Sequence, residues 1–144
     1  MKNLLIIYHT QSGNTEAMAK AVSEGASSAG ATVMLKKAVD ADDADILNCD
    51  VVAIGTPNYF GYMAGMVKDF FDRAWPTIRD KMADKPYVTF GSYGGGGIQA
   101  IETVERICNN MGMKRICDCV SAQRQPSAEK LAECKELGKK LAQM

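Results

Sequence analysis

Two kinds of apolar run alternate along the chain. Leu4-Leu5-Ile6-Ile7-Tyr8 is short, continuous and partly β-branched, the pattern of a strand buried on both faces. From Thr15 to Ala29 the apolar residues Met18, Ala21, Val22, Gly25 and Ala26 recur at helical spacing. That predicts one buried stripe, with Gly30 placed to end the helix. Thr32 to Lys36 reads as a second strand, Asp40 to Leu47 as an acidic loop with one helical turn, and Val51 to Gly55 as a third strand. A helix follows from Ala64 to Trp75, with Val67, Phe70, Phe71 and Trp75 inward, and Pro76 permits a stop. Tyr87 to Gly91 predicts the fourth strand. Ile98 to Met111 predicts a helix whose Ile98, Ile101, Val104, Cys108 and Met111 share a face. Lys114 to Val120 reads as a fifth, partly polar strand. Ser127 is placed to cap a last helix on which Ala128, Leu131, Ala132, Cys134, Gly138 and Leu141 face inward.

Strands alternating with helices predict an α/β fold, a doubly wound five-stranded parallel sheet with helices on both faces. Strands one, three and four are the most apolar, and two and five the least. The order 2-1-3-4-5, which puts the latter at the edges, is therefore expected. At 144 residues the whole of 1–144 is read as one domain.

Charge and cysteine content narrow the function classes. Lys+Arg and Asp+Glu are both 17, so neither a basic nucleic-acid surface nor a strongly acidic docking surface is indicated. No apolar run approaches the ~18 residues of a membrane span, and the N-terminal run is too short for a signal peptide. Five cysteines without a CxxC pair, beside a single histidine, suit reduced thiols in the cytoplasm better than a metal site or a disulfide framework.

In a sheet of this order, ligands bind beyond the carboxyl ends of the central strands, and three unusual loops fall there. His9-Thr10-Gln11-Ser12-Gly13-Asn14-Thr15 supplies three hydroxyls, a glycine and a helix start, but no Lys or Arg. Helix N-terminal amides and hydroxyls suit a phosphate that is held still. Phosphate transfer would call for GxxxxGK(S/T). His9 has no identifiable partner that would make it a base. Thr56-Pro57-Asn58-Tyr59-Phe60-Gly61-Tyr62-Met63 brings three aromatic rings to the same end, suited to a planar heterocycle. Ser92-Tyr93-Gly94-Gly95-Gly96-Gly97 leaves its backbone groups open to close approach. A dinucleotide fingerprint is not satisfied, because Gln99 stands where its last glycine belongs. A phosphoreceiver would need aspartates after strands one and three, and a phosphatase Cys-x5-Arg; neither is present. The three loops together describe a pocket for a mononucleotide that carries a planar ring.

Thr10-Gln11-Ser12-Gly13-Asn14-Thr15 resembles the phosphate loop of the flavodoxin superfamily. Gly55-Thr56-Pro57-x-x-Phe60-Gly61-x-Met63-Ala64-Gly65 is more specific. With Ser92 and the glycine run, and with Arg124-Gln125-Pro126-Ser127, it resembles the NAD(P)H:quinone oxidoreductase (WrbA-type) and FMN reductase branch. The resemblance implies a flavodoxin-like fold with FMN as cofactor. It implies that Thr10, Ser12, Gly13, Asn14 and Thr15 hold the phosphate, with Gln11 of the same loop also at the cofactor. Pro57, Asn58, Tyr59, Phe60 and Gly61, with Ser92, Tyr93, Gly94, Gly95, Gly96 and Gly97, would then frame the isoalloxazine. No side chain is assigned a catalytic role.

Longer members of that branch carry an insertion between the fourth helix and the Arg-Gln-Pro-Ser segment, where this chain has only Met113 to Gln123. That region helps build the quinone side of the pocket and the tetramer, so its absence counts against both and leaves FMN binding untouched. The implied function is an FMN-dependent NAD(P)H oxidoreductase passing electrons to a quinone, flavin or other small acceptor. The alternative is a non-enzymatic electron carrier that docks to redox proteins. Equal numbers of acids and bases favour the enzyme, and a homodimer is left open.

Overall fold

The computed structural model describes all residues from Met1 to Met144. The elements in chain order are β1 (Asn3–Tyr8), α1 (Asn14–Ser28), β2 (Thr32–Lys37), a 3-10 turn (Ala38–Asp40), α2 (Asp43–Asn48), β3 (Val51–Pro57), α3 (Gly65–Ile78), β4 (Pro86–Tyr93), α4 (Gln99–Asn110), β5 (Lys114–Arg115), β6 (Val120–Gln123) and α5 (Ala128–Ala142). All strand pairs are parallel, in the order β2-β1-β3-β4-β5, with β6 also on β4. The expected order and fold class are those observed.

The pleat sorts successive side chains onto two cores. Leu5, Ile7, Val52, Ile54 and Tyr87 point into one cluster with Val67, Phe70 and Phe71 of α3 and Val104 and Cys108 of α4. Their neighbours Leu4, Ile6, Val51, Ala53, Val88 and Phe90 point into the other, under Met18 and Val22 of α1 and Leu137 and Leu141 of α5. Burial on both faces explains why β1, β3 and β4 read as continuous apolar runs. Helices α1 and α5 approach so closely that a Cβ on Gly25 would lie 1.9 Å from the Lys135 carbonyl oxygen, and one on Gly138 2.0 Å from that of Val22. No helix is long and apolar enough to cross a membrane.

Several expectations need correction. The fifth strand is two pieces. Tyr87 pairs with Arg115 and Phe90 with Val120, so four residues, Ile116 to Cys119, face only Val88 and Thr89. The excess bulges out of the ladder. Helix α3 does not stop at Pro76 but runs through it to Ile78. The proline lies on the exposed face and forfeits one backbone bond, and the Arg79 amide resumes the pattern on the Trp75 carbonyl at 3.1 Å. Trp75 lies on that outward face, not inward. Ile98, Ala128 and Ala132 are exposed as well, while Leu137 takes an inward position. The acidic segment forms a true short helix, because Asp42 and Asp45 close a reciprocal capping box over its first turn.

Candidate functional site at the carboxyl ends of β1, β3, β4 and β6

The first loop is shaped by its own hydroxyl. The Gly13 amide donates to Thr10 Oγ1 at 2.9 Å, which leaves the Thr10 proton free for an outside acceptor. Gly13 is the N-cap of α1 with φ +92°, and no side chain caps the helix. The first-turn amides therefore lack the side-chain acceptor that usually engages them. A Cβ on Gly13 would meet nothing within 4 Å. Volume beside free amides is the cradle that an anion fills.

Thr15, only 1% exposed, lies behind that cradle. Its Oγ1 is 2.7 Å from Ser92 Oγ, so the start of α1 is tied to the end of β4. One hydroxyl donates to the other, and the second keeps its proton to donate elsewhere. At the rear, the Tyr8 hydroxyl donates to Glu16 Oε2 at 2.9 Å. Burial, reinforced by Glu16, pushes Tyr8 up to about 12, so it stays a neutral donor.

The loop after β3 makes a tight reversal. The Tyr59 and Tyr62 amides each donate to the other's carbonyl at 3.1 Å. Phe60 and Gly61 between them have φ +59° and +76°, the signs of a I′ turn. Glycine is at ease there; phenylalanine is strained and wholly exposed. Asn58 binds this turn to the glycine loop. Its Nδ2 donates to the Gly97 carbonyl and to Gln99 Oε1, both at 2.9 Å. Its Oδ1 accepts from the Gly61 amide at 2.8 Å, and its own amide donates to the Ser92 carbonyl at 3.0 Å. Thr56, which sequence reasoning did not single out, holds the far end by accepting from the Ala64 amide at 2.9 Å. His9 meets the Tyr59 ring edge to face at 6.1 Å. Burial, with Lys37 nearby, pushes its imidazole below the ordinary histidine value.

These loops enclose a cleft of about 200 Å³, lined by Gln11, Ser12, Asn14, Pro57, Asn58, Tyr59, Ser92, Tyr93, Gly94 and Arg124. Nine of these were candidates from the sequence. The others lie around the cleft: Thr10, Gly13 and Thr15 shape its anion end, Phe60 and Gly61 form the turn at its rim, and Gly95, Gly96 and Gly97 continue the glycine loop. Arg124 is the lining residue that sequence reasoning did not place in the site. Its signal was the Arg-Gln-Pro-Ser segment, but only the fold shows that the end of β6 brings this residue to the cleft that the first loop also lines.

A planar ring on a phosphorylated polar chain fits these groups. Amides and hydroxyls lie at one end, tyrosine rings at the other, and Cβ atoms on Gly94 and Gly95 would meet nothing within 4 Å. Typical cofactor pockets hold ~300–1,000 Å³, so such a ligand would protrude past the rim.

The family model described as flavodoxin matches residues 6–138. A flavodoxin of Aquifex aeolicus is 32% identical over 99% of this chain and 86% of its own length. An NAD(P)H dehydrogenase (quinone) of Rhizobium meliloti is also 32% identical, over 78% of this chain and 65% of its own length. The chain thus spans just under two thirds of that longer relative. Among solved structures, an archaeal flavodoxin superposes with TM-score 0.89 at 26% identity, covering 98% of this chain and 96% of the other. The two-electron reduced flavodoxin of Megasphaera elsdenii gives 0.84 at 29% identity, covering 98% and 99%.

Proposed function

The chain belongs to the flavodoxin family, and from that premise we propose that it holds FMN in the cleft and transfers electrons to and from a protein docked on its rim. The observation that carries the docking half is Phe60. A residue held at positive φ with 107% relative exposure gains nothing from burial within the monomer. Strain and exposed apolar surface at the rim, where Phe60 would flank the flavin ring, support contact with a body beyond its own chain. Tyr62, Met66 and Ile98, exposed on the same loops or the helix turns they lead into, extend that surface.

When bound, FMN supplies the redox chemistry, and the protein positions and tunes it. Uncapped amides of α1 and the free Thr10 proton would hold the phosphate. The Thr15–Ser92 pair would offer its spare proton nearby. Asn58 fixes the spacing between the Tyr59–Tyr62 turn and the glycine loop, and so the width of the slot for the ring.

A second reading is NAD(P)H-dependent reduction of a quinone, flavin or other small acceptor. It is supported by the Gly55-to-Gly65 motif, by the balance of 17 acidic against 17 basic residues, and by the quinone dehydrogenase relatives. Anaerobic stopped-flow decides between the readings. The carrier predicts slow reduction by NADH and NADPH, and rapid reduction by an NADPH-dependent flavodoxin reductase. Rapid reduction by a nicotinamide alone, followed by multiple turnovers on a quinone, would establish the enzyme instead.

A further inference from the structure

Arg124 brings a positive charge to a site whose phosphate loop carries none. Arg124, exposed at the end of β6, lines the same cleft as Gln11, Ser12 and Asn14. No carboxylate lines that cleft. Arg124 takes part in none of the ten ion pairs that engage charged side chains elsewhere. Its backbone stands at φ +56°, a conformation that β-carbon-bearing residues adopt at a cost. Two bonds hold it there: the Arg124 amide donates to the Tyr93 carbonyl at 2.6 Å, and Gln123 Nε2 to the Gly94 carbonyl at 3.0 Å. A strained, pinned and unpaired cation on the cleft that Gln11, Ser12 and Asn14 also line, where α1 begins uncapped, is an arrangement that an anion would complete.

We infer that Arg124 is the counter-charge for the ligand's phosphate and sets a preference for phosphorylated flavin over its phosphate-free form. This rests on the FMN reading above. Amides and hydroxyls alone would seat a phosphate by hydrogen bonds; a guanidinium adds charge and a two-pronged donor matched to phosphate oxygens.

The test is titration of the apoprotein with FMN and with riboflavin, read by quenching of flavin fluorescence, in wild type, Arg124→Gln and Arg124→Lys. Circular dichroism melts of each apoprotein check folding. Loss of charge-assisted hydrogen bonds is expected to weaken FMN binding by Arg124→Gln about 10- to 100-fold. Riboflavin affinity should move less than about twofold, in line with the absent phosphate contact. The dependence of FMN affinity on salt should flatten as the charge is removed, and Arg124→Lys should restore part of the loss. Unchanged FMN affinity in Arg124→Gln, or equal losses for both flavins, overturns this role while leaving FMN as the ligand. Failure of wild type to bind either flavin overturns the FMN reading itself, and this inference with it.

Discussion

Asn58 carries the most connections in the site, so its removal has the most readable consequence. Asn58→Ala deletes two donated bonds, to the Gly97 carbonyl and Gln99 Oε1, and one accepted from the Gly61 amide. Each such bond contributes ~0.5–1.5 kcal/mol net. Partial exposure lets water replace some of each, so a total loss of about 2 kcal/mol is expected, not the sum of three full bonds. The Asn58 amide still reaches the Ser92 carbonyl, so β3 and β4 stay in register and the fold survives. The clamp between the turn and the glycine loop does not. If that clamp pre-organises the ring slot, FMN binding must supply the lost ordering, and affinity should fall about 10- to 30-fold, most of that 2 kcal/mol. Isothermal titration calorimetry measures the affinity. Amide hydrogen exchange at Gly61 should quicken in the apoprotein, because its acceptor is gone. An unchanged affinity with faster exchange would refute the claim that the clamp sets the slot. Unchanged exchange would refute the clamp itself.

Other parts of the structure make independent predictions. Gly25→Ala, which forces a Cβ to within 1.9 Å of the Lys135 carbonyl oxygen, should destabilise the protein by about 2 kcal/mol or more despite alanine's better helix propensity; a urea midpoint at or above wild type contradicts that packing. The His9 imidazole should titrate below 6.5 in NMR, because burial disfavours its charged form. The unfolded chain takes up this proton first, so stability should decline as pH falls from about 6.5 toward the folded value and decline no further from this group below it; a midpoint at or above 6.5 contradicts the burial. Cys49, Cys108 and Cys134 are buried, and burial pushes Cys49 up to about 11 and Cys134 up to about 12. A thiol reagent at pH 8 should therefore label only Cys117 and Cys119 before unfolding, and five fast thiols would be inconsistent with the two cores.

Patterns that depend on one element at a time were legible in the sequence. The apolarity gradient across the strands placed β1, β3 and β4 at the centre, because burial on two faces leaves its mark residue by residue. The hydroxyl loop, the aromatic loop and the glycine run could be assigned to one end of the sheet from their positions after strands alone. Features that depend on pairing were hidden. The bulge at Ile116 to Cys119 exists only relative to β4, where two residues face four, and nothing local marks it. The reversal at Phe60-Gly61 requires knowing that Tyr59 and Tyr62 bond to each other. Arg124 lies more than a hundred residues from the loop whose cleft it shares, so charge counting within that loop could not find it. Trp75 was misplaced because helical spacing alone does not show that an open hollow, lined also by Phe71, Ile107 and Asn110, separates this end of α3 from α4.

The central claim is the location of FMN, and a nitrogen-15 NMR titration of the apoprotein tests it most directly. The account predicts saturable FMN binding with the largest amide shifts at Gly13 to Glu16, Asn58 to Gly61 and Gly94 to Gly97. It predicts little change around the second hollow, of about 240 Å³, that Asn3, Leu5, Thr32 and Met34 line at the opposite end of the sheet. Shifts centred on that opposite hollow, or no saturable shifts at all, would contradict it.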